Sequence, residues 1–508
     1  MQLIDSMTRS EKRHFRMYVG RNPASEDMLF MQLFDYLDKH KFYDEVELLK
    51  KLPDIKKAQL SNLKAHLFKQ MLISLRLLHK NGNDDIQIRE MIDYARVLYN
   101  KGLYRQSLDI LDKAKSKAFE TRHYTLALEV VEFEKLIEGQ YITRSIADRA
   151  EQLTVQAIEL NNIVAGIHAF TNLSLQLYGL YLKVGFVRNK KDYFYVKAYF
   201  QARLPKYNYD QLDFWGKVYF CQSHVWYYHM TQEFALCYRY AQKWVDLFHE
   251  SPQVIRENPP LYLKGLHNLL NALFNTLYYK RFAEVLLELL DFPNHFDLAE
   301  DKNVEGLFYL YKYIHSIKKH YLEGTFSEGL LLVPELDALI KNEEYNWDNH
   351  RVMVFYYRIA CLYFGSGDNS NAIHYLNLII NQKNPDYRED IQGFARILSL
   401  IAHFELGNAQ LVEYQVKSVF RFLLKKEDLN EVHKAIFSFL RKIPRMRANE
   451  LRTQFIRLRD KLRKLESDPY ERRPFLYLDI ISWLDSKIAG KGVQEIIRQK
   501  FLERQNRP

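Results

Sequence analysis

The stretch 86–119 reads IQIREMIDYARVLYNKGLYRQSLDILDKAKSKAF. Its first half has four residues at the spacing i, i+3, i+4, i+7, which places them on one face of a helix: Met91, Tyr94, Ala95 and Leu98. Gly102 then interrupts the pattern with a residue that accepts positive φ. A second helical stripe begins at Tyr104 and includes Ser107, Leu108, Leu111 and Ala114. The stretch therefore predicts two helices joined by a tight turn.

The same turn recurs along the chain. Three more glycine-containing segments break long helical patterns: Gly324-Thr325-Phe326, Gly367-Asp368-Asn369 and Gly407-Asn408-Ala409. Two further breaks, at Thr231–Phe234 and Lys280–Phe282, keep the aromatic residue but lack the glycine. Recurrence at near-fixed spacing indicates one helix–turn–helix unit that is used many times.

Residues 352–385 repeat the pattern of 86–119 in detail. A stripe of Tyr356, Ile359, Ala360 and Tyr363 precedes Gly367, and Ala372, Leu376 and Ile379 follow it before Pro385. Ala95 and Ser107, like Ala360 and Ala372, fall where two antiparallel helices would cross closely. This order of large, small, glycine, aromatic, small and proline resembles the tetratricopeptide repeat over 91–114 and 356–385. Elsewhere the resemblance is degenerate, because the small position after the turn holds Cys237, Val285, Gly329 or Val412.

The spacing of the turns departs from that family. Turns are predicted near 102, 143, 187, 231, 280, 324, 367 and 407, whereas the tetratricopeptide repeat has a period of about 34 residues. The longer period indicates longer helices, and a HEAT-like array is the structural alternative. The predicted helix pairs cover 86–119, 122–160, 162–204, 211–250, 259–291, 302–343, 348–381 and 387–426.

These patterns predict an all-α protein: a right-handed α-solenoid of about eight tetratricopeptide-like helix pairs between two helical caps. We expect an N-terminal cap over 1–80, the repeat array over 86–427 and a basic C-terminal cap over 428–508. Stacked pairs bury their apolar faces against their neighbours. The family resemblance implies a concave groove lined by the first helix of each pair.

Composition restricts the classes of protein further. The net charge is +10, and residues 441–508 contribute much of it, with 18 Lys and Arg against 9 Asp and Glu. The three cysteines show no CxxC spacing, which favours a reducing compartment. The N-terminus lacks a signal-peptide pattern and no long apolar window occurs. We therefore expect a cytoplasmic protein without a transmembrane segment.

A basic helix near 446–465 is the first candidate binding surface. Leu451, Phe455, Leu458, Leu462 and Leu465 form its apolar seam, and cationic residues that include Arg452, Arg459 and Arg463 occupy other positions. Such a face can attract phosphates, an acidic partner or an anionic membrane surface. The alternative is a solvated outer face on a helix that seals the last repeat.

Two other features suggest nucleic acid. Lys190 and Lys191 lie beside Tyr195 in an aromatic cluster, where stacking on RNA is conceivable, although aromatic residues at helical spacing usually pack between helices. Residues 43–79 can be interpreted as a helix-turn-helix with 59–71 as the recognition helix. Any short-linked helix pair fits that pattern.

No arrangement of residues in the sequence indicates catalysis, a metal site or a cofactor. The carboxylate-gripping set of the tetratricopeptide family is not transferred, because no matching Lys, Asn and Arg stand out on successive first helices. We therefore expect a non-catalytic interaction scaffold that binds a peptide or protein segment in a helical groove. The alternative is a transcriptional regulator that binds nucleic acid through its basic terminal helices. The sequence indicates neither the partner nor the oligomeric state.

Overall fold

The computed structural model describes residues 1–20, 25–40, 42–140, 148–382, 389–426, 429–442, 448–468, 470–472, 474, 475 and 478–506. Within these ranges the chain is helical and contains no strand, so the all-α prediction is confirmed. The chain divides into two compact units, unit 1 over Met1–Val164 and unit 2 over Ala165–Pro508. The predicted division at 80 and 427 stays a prediction.

Unit 1 contains two apolar clusters, one between Ile4 and Met71 and one between Ile88 and Leu160. Its helices are α1 Gln2–Ser6, α2 Arg9–Gly20, α3 Ser25–Lys39, α4 Glu45–Lys51, α5 Lys57–His79, α6 Asp84–Asn100, α7 Tyr104–Glu120 and α8 Tyr124–Gln140. The boundary between the units falls within α9 Arg149–Val184. The proposed helix-turn-helix corresponds to α4 and α5, and its role in binding DNA stays a prediction.

The remaining helices belong to unit 2, whose largest apolar cluster extends from Val218 to Ile497. They are α10 Lys190–Arg203, α11 Phe214–Met230, α12 Phe234–Glu250, α13 Gln253–Glu257, α14 Pro259–Asn275, α15 Tyr279–Asp291, α16 Lys302–Glu323, α17 Phe326–Gly329, α18 Val333–Lys341, α19 Asn349–Ser366, α20 Asn369–Ile380, α21 Glu389–Glu405, α22 Ala409–Lys425, α23 Glu431–Lys442, α24 Ala448–Glu466, α25 Ile480–Ala489 and α26 Val493–Gln505. Packing mostly joins helices that are adjacent along the chain.

One turn geometry joins the paired helices. Between α6 and α7, the Leu103 N–H donates to the Leu98 carbonyl at 2.9 Å and the Gly102 N–H to the Tyr99 carbonyl at 2.9 Å. This pair of bonds is a Schellman motif, which satisfies carbonyls at a helix end and needs a left-handed residue. The left-handed residue of the corresponding turns is Gln232, Leu277, Gly367 or Gly407. The repeated turn predicted from the sequence is thus present.

Two details of the predicted repeats are wrong. The break predicted at Lys280–Phe282 occurs at 276–278, because Leu277 adopts φ +58° without glycine and α15 already begins at Tyr279. The break predicted between 160 and 162 is absent, since α9 runs through it and the Asn161 amide donates to the Ala157 carbonyl at 2.8 Å. Pro385 and the turn predicted near 143 lie outside the described residues.

Two of the non-glycine turns of unit 2 give a testable pair. Leu277 is 54% exposed, so Leu277→Gly should relieve left-handed strain and raise the free energy of unfolding by about 0.5–1 kcal/mol. Gln232 is buried, donates to the Val187 carbonyl at 3.0 Å and accepts from Arg472 Nε at 3.0 Å. Gln232→Gly removes both hydrogen bonds and should therefore lower the free energy of unfolding by about 1–2 kcal/mol. Urea unfolding measures both, and equal shifts in the two variants would refute this explanation.

The C-terminal segment of unit 2 runs back along the turns of earlier pairs. Arg472 reaches the turn between α11 and α12 through Gln232. Phe501 of α26 packs edge-on against Tyr279 at the start of α15, with ring centroids 4.7 Å apart. Trp483 of α25 donates to Glu405 at the end of α21 at 2.7 Å. These residues therefore connect helix pairs that are distant along the chain.

Helix α26 also contacts the turn after α16. The Ser327 hydroxyl donates to Gln494 Oε1 at 2.9 Å, and Arg498 donates to the Glu323 carbonyl at 3.3 Å. Gly324 adopts φ +71°, and a Cβ at this position would lie 2.4 Å from the Arg498 backbone nitrogen. Glycine is thus required here both by backbone conformation and by the proximity of α26.

Candidate functional site

Three first helices of unit 2, α14, α16 and α19, each precede the turn of their pair. Helix α14 packs against α16, and α16 packs against α19. Each is largely apolar but carries polar residues at spacings of three, four or seven, which places them on one face. We call six of them the basic cluster: Lys264, His267 and Asn271 of α14, His315 and Lys318 of α16, and Arg358 of α19.

A hydrogen-bond chain joins α14 to α16 within the basic cluster. Lys318 Nζ donates to Asn271 Oδ1, and Asn271 Nδ2 lies 3.0 Å from His267 Nε2. His267 Nδ1 lies 2.9 Å from His315 Nε2. The Lys318 ammonium also lies 4.4 Å from the centroid of the Phe274 ring, a favourable cation–π distance.

The hydrogen bonds between these residues determine the tautomers of the neutral His267 and His315 imidazoles. Lys318 can only donate, so Asn271 presents its oxygen to Lys318 and its amide N–H to His267 Nε2. His267 then donates from Nδ1 to His315 Nε2, and the proton of His315 is left on Nδ1. That nitrogen is buried and has no hydrogen-bond partner. The basic cluster thus contains an unsatisfied buried donor, a costly arrangement in the absence of a ligand.

Burial and like charges dominate the electrostatics of the basic cluster. Burial, with a contribution from Arg358, holds the pKa of Lys318 well below 10.5. Burial followed by the nearby cations Lys318 and Arg358 holds the pKa values of His267 and His315 well below 6.5. Among the described residues, no carboxylate forms an ion pair with Lys264 or Lys318. These two lysines therefore have no counter-charge from a described carboxylate.

Access to the basic cluster differs between its members. Lys318 is 5% exposed and His315 is fully buried. Lys264, His267, Asn271 and Arg358 remain partly exposed. Lys318 is therefore the cation of the basic cluster that solvent reaches least.

The two histidines of the basic cluster, His267 and His315, predict how stability depends on pH. Their pKa values in the folded chain lie below 6.5, so at a pH just below 6.5 the unfolded chain binds more protons than the folded chain. Stability should then fall as pH drops below about 6.5, by at most about 1.4 kcal/mol per pH unit for each histidine. Lys318, Lys264, Arg358 and His229 are the charged or titratable groups that act on His267. Native-state hydrogen exchange of α16 at pH 7.5 and 5.5 measures this loss.

The matched variants for that measurement are a His267→Gln/His315→Gln double variant and His295→Gln. The double variant should show a smaller loss of protection at pH 5.5 than the parent chain. His295 is a surface residue whose side chain is 76% exposed, and its replacement should leave the loss unchanged. An undiminished loss in the double variant would show that other groups titrate.

The residues predicted on the basic C-terminal helix lie on α24 and have partners within the chain. Arg459 Nη1 lies 3.5 Å and Arg463 Nη2 3.3 Å from Asp485 carboxylate oxygens on α25. Arg452 donates from Nε to the Ile488 carbonyl at 3.2 Å. The apolar residues Phe455, Leu458 and Leu462 are buried beneath them. Part of this positive charge is thus used to attach α25, and a binding role for these arginines stays a prediction.

The second predicted group lies at the start of α10. Lys190 and Lys191 are exposed, and Tyr195 is 54% exposed with its ring 6.2 Å from that of Tyr199. The structure does not bring them near the basic cluster by any described contact. Their role in binding also stays a prediction.

Sequence reasoning missed the basic cluster, although a signal for it exists. Lys264, His267 and Asn271 follow the spacing i, i+3, i+7, and His315 and Lys318 lie three residues apart, all inside apolar helices. Asn271, Lys318 and Arg358 lie on the helices α14, α16 and α19. Polar residues on the seam of an apolar helix were the available clue.

No family model, curated protein or solved structure matches this chain. None of the helices in the described part of the chain combines the length and apolarity needed to cross a bilayer. Within the same residues, no group of His, Cys, Asp and Glu is arranged to hold a metal ion. The interpretation of the site therefore depends on its own geometry.

Proposed function

We propose that this chain is a non-catalytic scaffold that binds a protein or peptide segment along the first helices α14, α16 and α19. The supporting observation is the basic cluster, in which the buried Lys318 ammonium has no ion pair with a described carboxylate and the buried His315 Nδ1–H has no acceptor. A ligand that supplies acceptors and negative charge would offset the cost of burying these groups.

The helix pairs of unit 2 fit this proposal. Their common Schellman turn and adjacent packing support a right-handed array of the tetratricopeptide type, in which first helices line a groove. Cys221, Cys237 and Cys361 are buried free thiols. Their state fits a reducing compartment, and we propose a cytoplasmic location.

Site-specific photo-crosslinking in native cells tests this proposal. A benzophenone amino acid at Asn268, one turn from Lys264 on the same face of α14, should give a defined adduct with a partner polypeptide. The same amino acid at Leu287 of α15, which is 67% exposed, serves as the control and should give little adduct. Adducts of equal yield from both positions, or none from Asn268, would rule out this face as the binding surface.

A further inference from the structure

Unit 1 contains a cavity of about 390 Å³ that is lined by residues of α1, α3 and α5 and of the loop before α4. Its most buried lining residues are all apolar: Ile4, Leu37, Leu67 and Met71 are at most 5% exposed. Pockets that bind small organic molecules have volumes of about 300–1,000 Å³ and mostly apolar walls. The cavity therefore has room for a small ligand with an apolar body.

The polar groups of the cavity lie at its exposed rim. Lys64 is partly exposed and Tyr43 is 41% exposed. The Lys64 ammonium donates to the Tyr43 hydroxyl and lies 4.1 Å from the centroid of the Tyr43 ring. The hydroxyl in turn donates to Glu45 Oε2 at 3.1 Å. Glu45 itself pairs with Lys57 at 3.9 Å, and no carboxylate in the described part of the chain forms an ion pair with Lys64. Two of the three N–H groups of Lys64 thus remain for an acceptor at the rim.

Helix α5 separates the polar end of the cavity from its apolar end. Lys64, Leu67, Phe68 and Met71 line the cavity at the spacing i, i+3, i+4, i+7, which places them on one face of the helix. The helix rises by about 10 Å between Lys64 and Met71. Phe68 lies between them and is 52% exposed, so it forms an outer wall. A ligand along this face would have its charged group beside Lys64 and an extended apolar part directed towards Met71.

We propose that this cavity binds an aliphatic monocarboxylate of medium chain length, that is, a free fatty acid. The carboxylate would accept hydrogen bonds from the Lys64 ammonium, and the alkyl chain would contact Ile4, Leu37 and Met71. The site belongs to unit 1, so this proposal does not depend on the segment that we propose for α14, α16 and α19.

The charge of the rim favours this class of ligand over other amphiphiles. One ammonium matches one negative charge, and its hydrogen bonds to a carboxylate are stronger than those to a neutral hydroxyl. A quaternary ammonium head group would be repelled by Lys64 at this distance. The apolar lining supplies dispersion contacts to an alkyl chain but no second cation for a doubly charged head group.

Calorimetric titration of the full chain with sodium hexanoate, octanoate and decanoate at pH 7.5 tests the apolar part of the proposal. Decanoate should bind saturably with a dissociation constant of about 10–100 µM. Each added methylene group should tighten binding by about two- to fourfold, because it removes apolar surface from water. Equal affinities across the three acids would overturn the proposal.

Comparison of sodium octanoate with 1-octanol tests the role of the rim. The two molecules have the same chain length, so a difference in affinity comes from the head group. Octanoate should bind the unaltered chain at least about fivefold more tightly than octanol. Equal binding of the two, or tighter binding of octanol, would refute a carboxylate as the ligand.

A matched pair of lysine variants locates the head group. Lys64→Gln should weaken octanoate binding by about fivefold and octanol binding by less than about twofold, so the preference for the acid disappears. Loss of folding would weaken both ligands alike and would not abolish that preference. Lys69→Gln is the control, because Lys69 is an exposed residue of α5 outside the cavity lining, and it should change neither affinity.

A second pair locates the alkyl chain. Phe68→Ala removes part of the outer wall and should weaken binding of octanoate and octanol alike, by about threefold. Leu77→Ala is its control, since Leu77 is 42% exposed on α5 but does not line the cavity. Circular dichroism checks that each variant keeps its helices. A preference for octanoate that persists in Lys64→Gln, or unchanged affinities in Phe68→Ala, would place the binding elsewhere on the chain and overturn the proposal.

Discussion

Replacing Gly324 with alanine should destabilise unit 2 more than any other glycine replacement at its turns. The left-handed conformation at φ +71° costs an alanine about 1–2 kcal/mol. The new Cβ would also lie 2.4 Å from the Arg498 nitrogen and 2.8 Å from its Cα, both on the backbone of α26. Helix α26 must move to accommodate it, so we expect a total loss of about 3–5 kcal/mol in the free energy of unfolding.

Gly407→Ala provides the matched control for this change. Gly407 has a similar φ of +77°, and a Cβ there would meet nothing within 4 Å. Gly407→Ala should therefore lower the free energy of unfolding only by the cost of the left-handed conformation, about 1–2 kcal/mol. Urea unfolding measures both variants, and limited proteolysis near 490 reports release of α26 from Gly324→Ala. Equal losses in the two variants would show that α26 does not depend on the turn after α16.

Replacing Lys318 with methionine should stabilise the chain in the absence of ligand. The Lys318 ammonium is 5% exposed, its pKa is depressed by burial and Arg358, and its hydrogen bond goes to a neutral amide. Removing a poorly compensated buried charge while keeping the apolar stem should raise the free energy of unfolding by about 1–3 kcal/mol. A residue retained against stability in this way is typical of a binding site.

The control for Lys318→Met is Lys319→Met. Lys319 is a half-exposed neighbour whose ammonium lies 3.9 Å from Glu323, and the same substitution there should change stability by less than about 0.5 kcal/mol. Thermal unfolding in a phosphate-free buffer is the measurement. A loss of stability in Lys318→Met larger than in Lys319→Met would mean that the chain itself compensates the buried ammonium.

The helices and their turns could be predicted because the signals are local. A stripe such as Met91 to Leu98 followed by Gly102 specifies a helix, its buried side and its end within a dozen residues. At the turn between α14 and α15 the left-handed residue is Leu277 instead of a glycine, so this turn depends on the packing of the two flanking helices. The break predicted at Lys280–Phe282 is therefore three or four residues beyond the real turn. Local pattern also cannot end α9 at Asn161, because asparagine is compatible with a helix interior.

The return of the C-terminal segment could not be predicted from local pattern. The contact between Gln232 and Arg472 joins residues 240 apart in sequence, and neither side chain is unusual in its own helix or loop. The basic helix α24 was interpreted as a binding surface because its ion-pair partners are likewise distant along the chain. Its partner Asp485 lies on another helix, and a one-dimensional charge pattern does not reveal such pairing.

The basic cluster was not recognised from the sequence, because its residues lie on different helices and form no known motif within any one of them. Lys318 and Asn271 lie 47 residues apart, and their meeting depends on the packing of α14 against α16. Only the assembled helices show that these polar side chains converge and that Lys318 forms no ion pair with a described carboxylate.

The most direct test of the central claim is site-specific photo-crosslinking on the face formed by α14, α16 and α19. The account predicts that a benzophenone amino acid at Asn268 gives a defined adduct with a partner polypeptide, whereas the same amino acid at Leu287 of α15, which is 67% exposed, gives little. Adducts of equal yield from both positions, or none from Asn268, would contradict it.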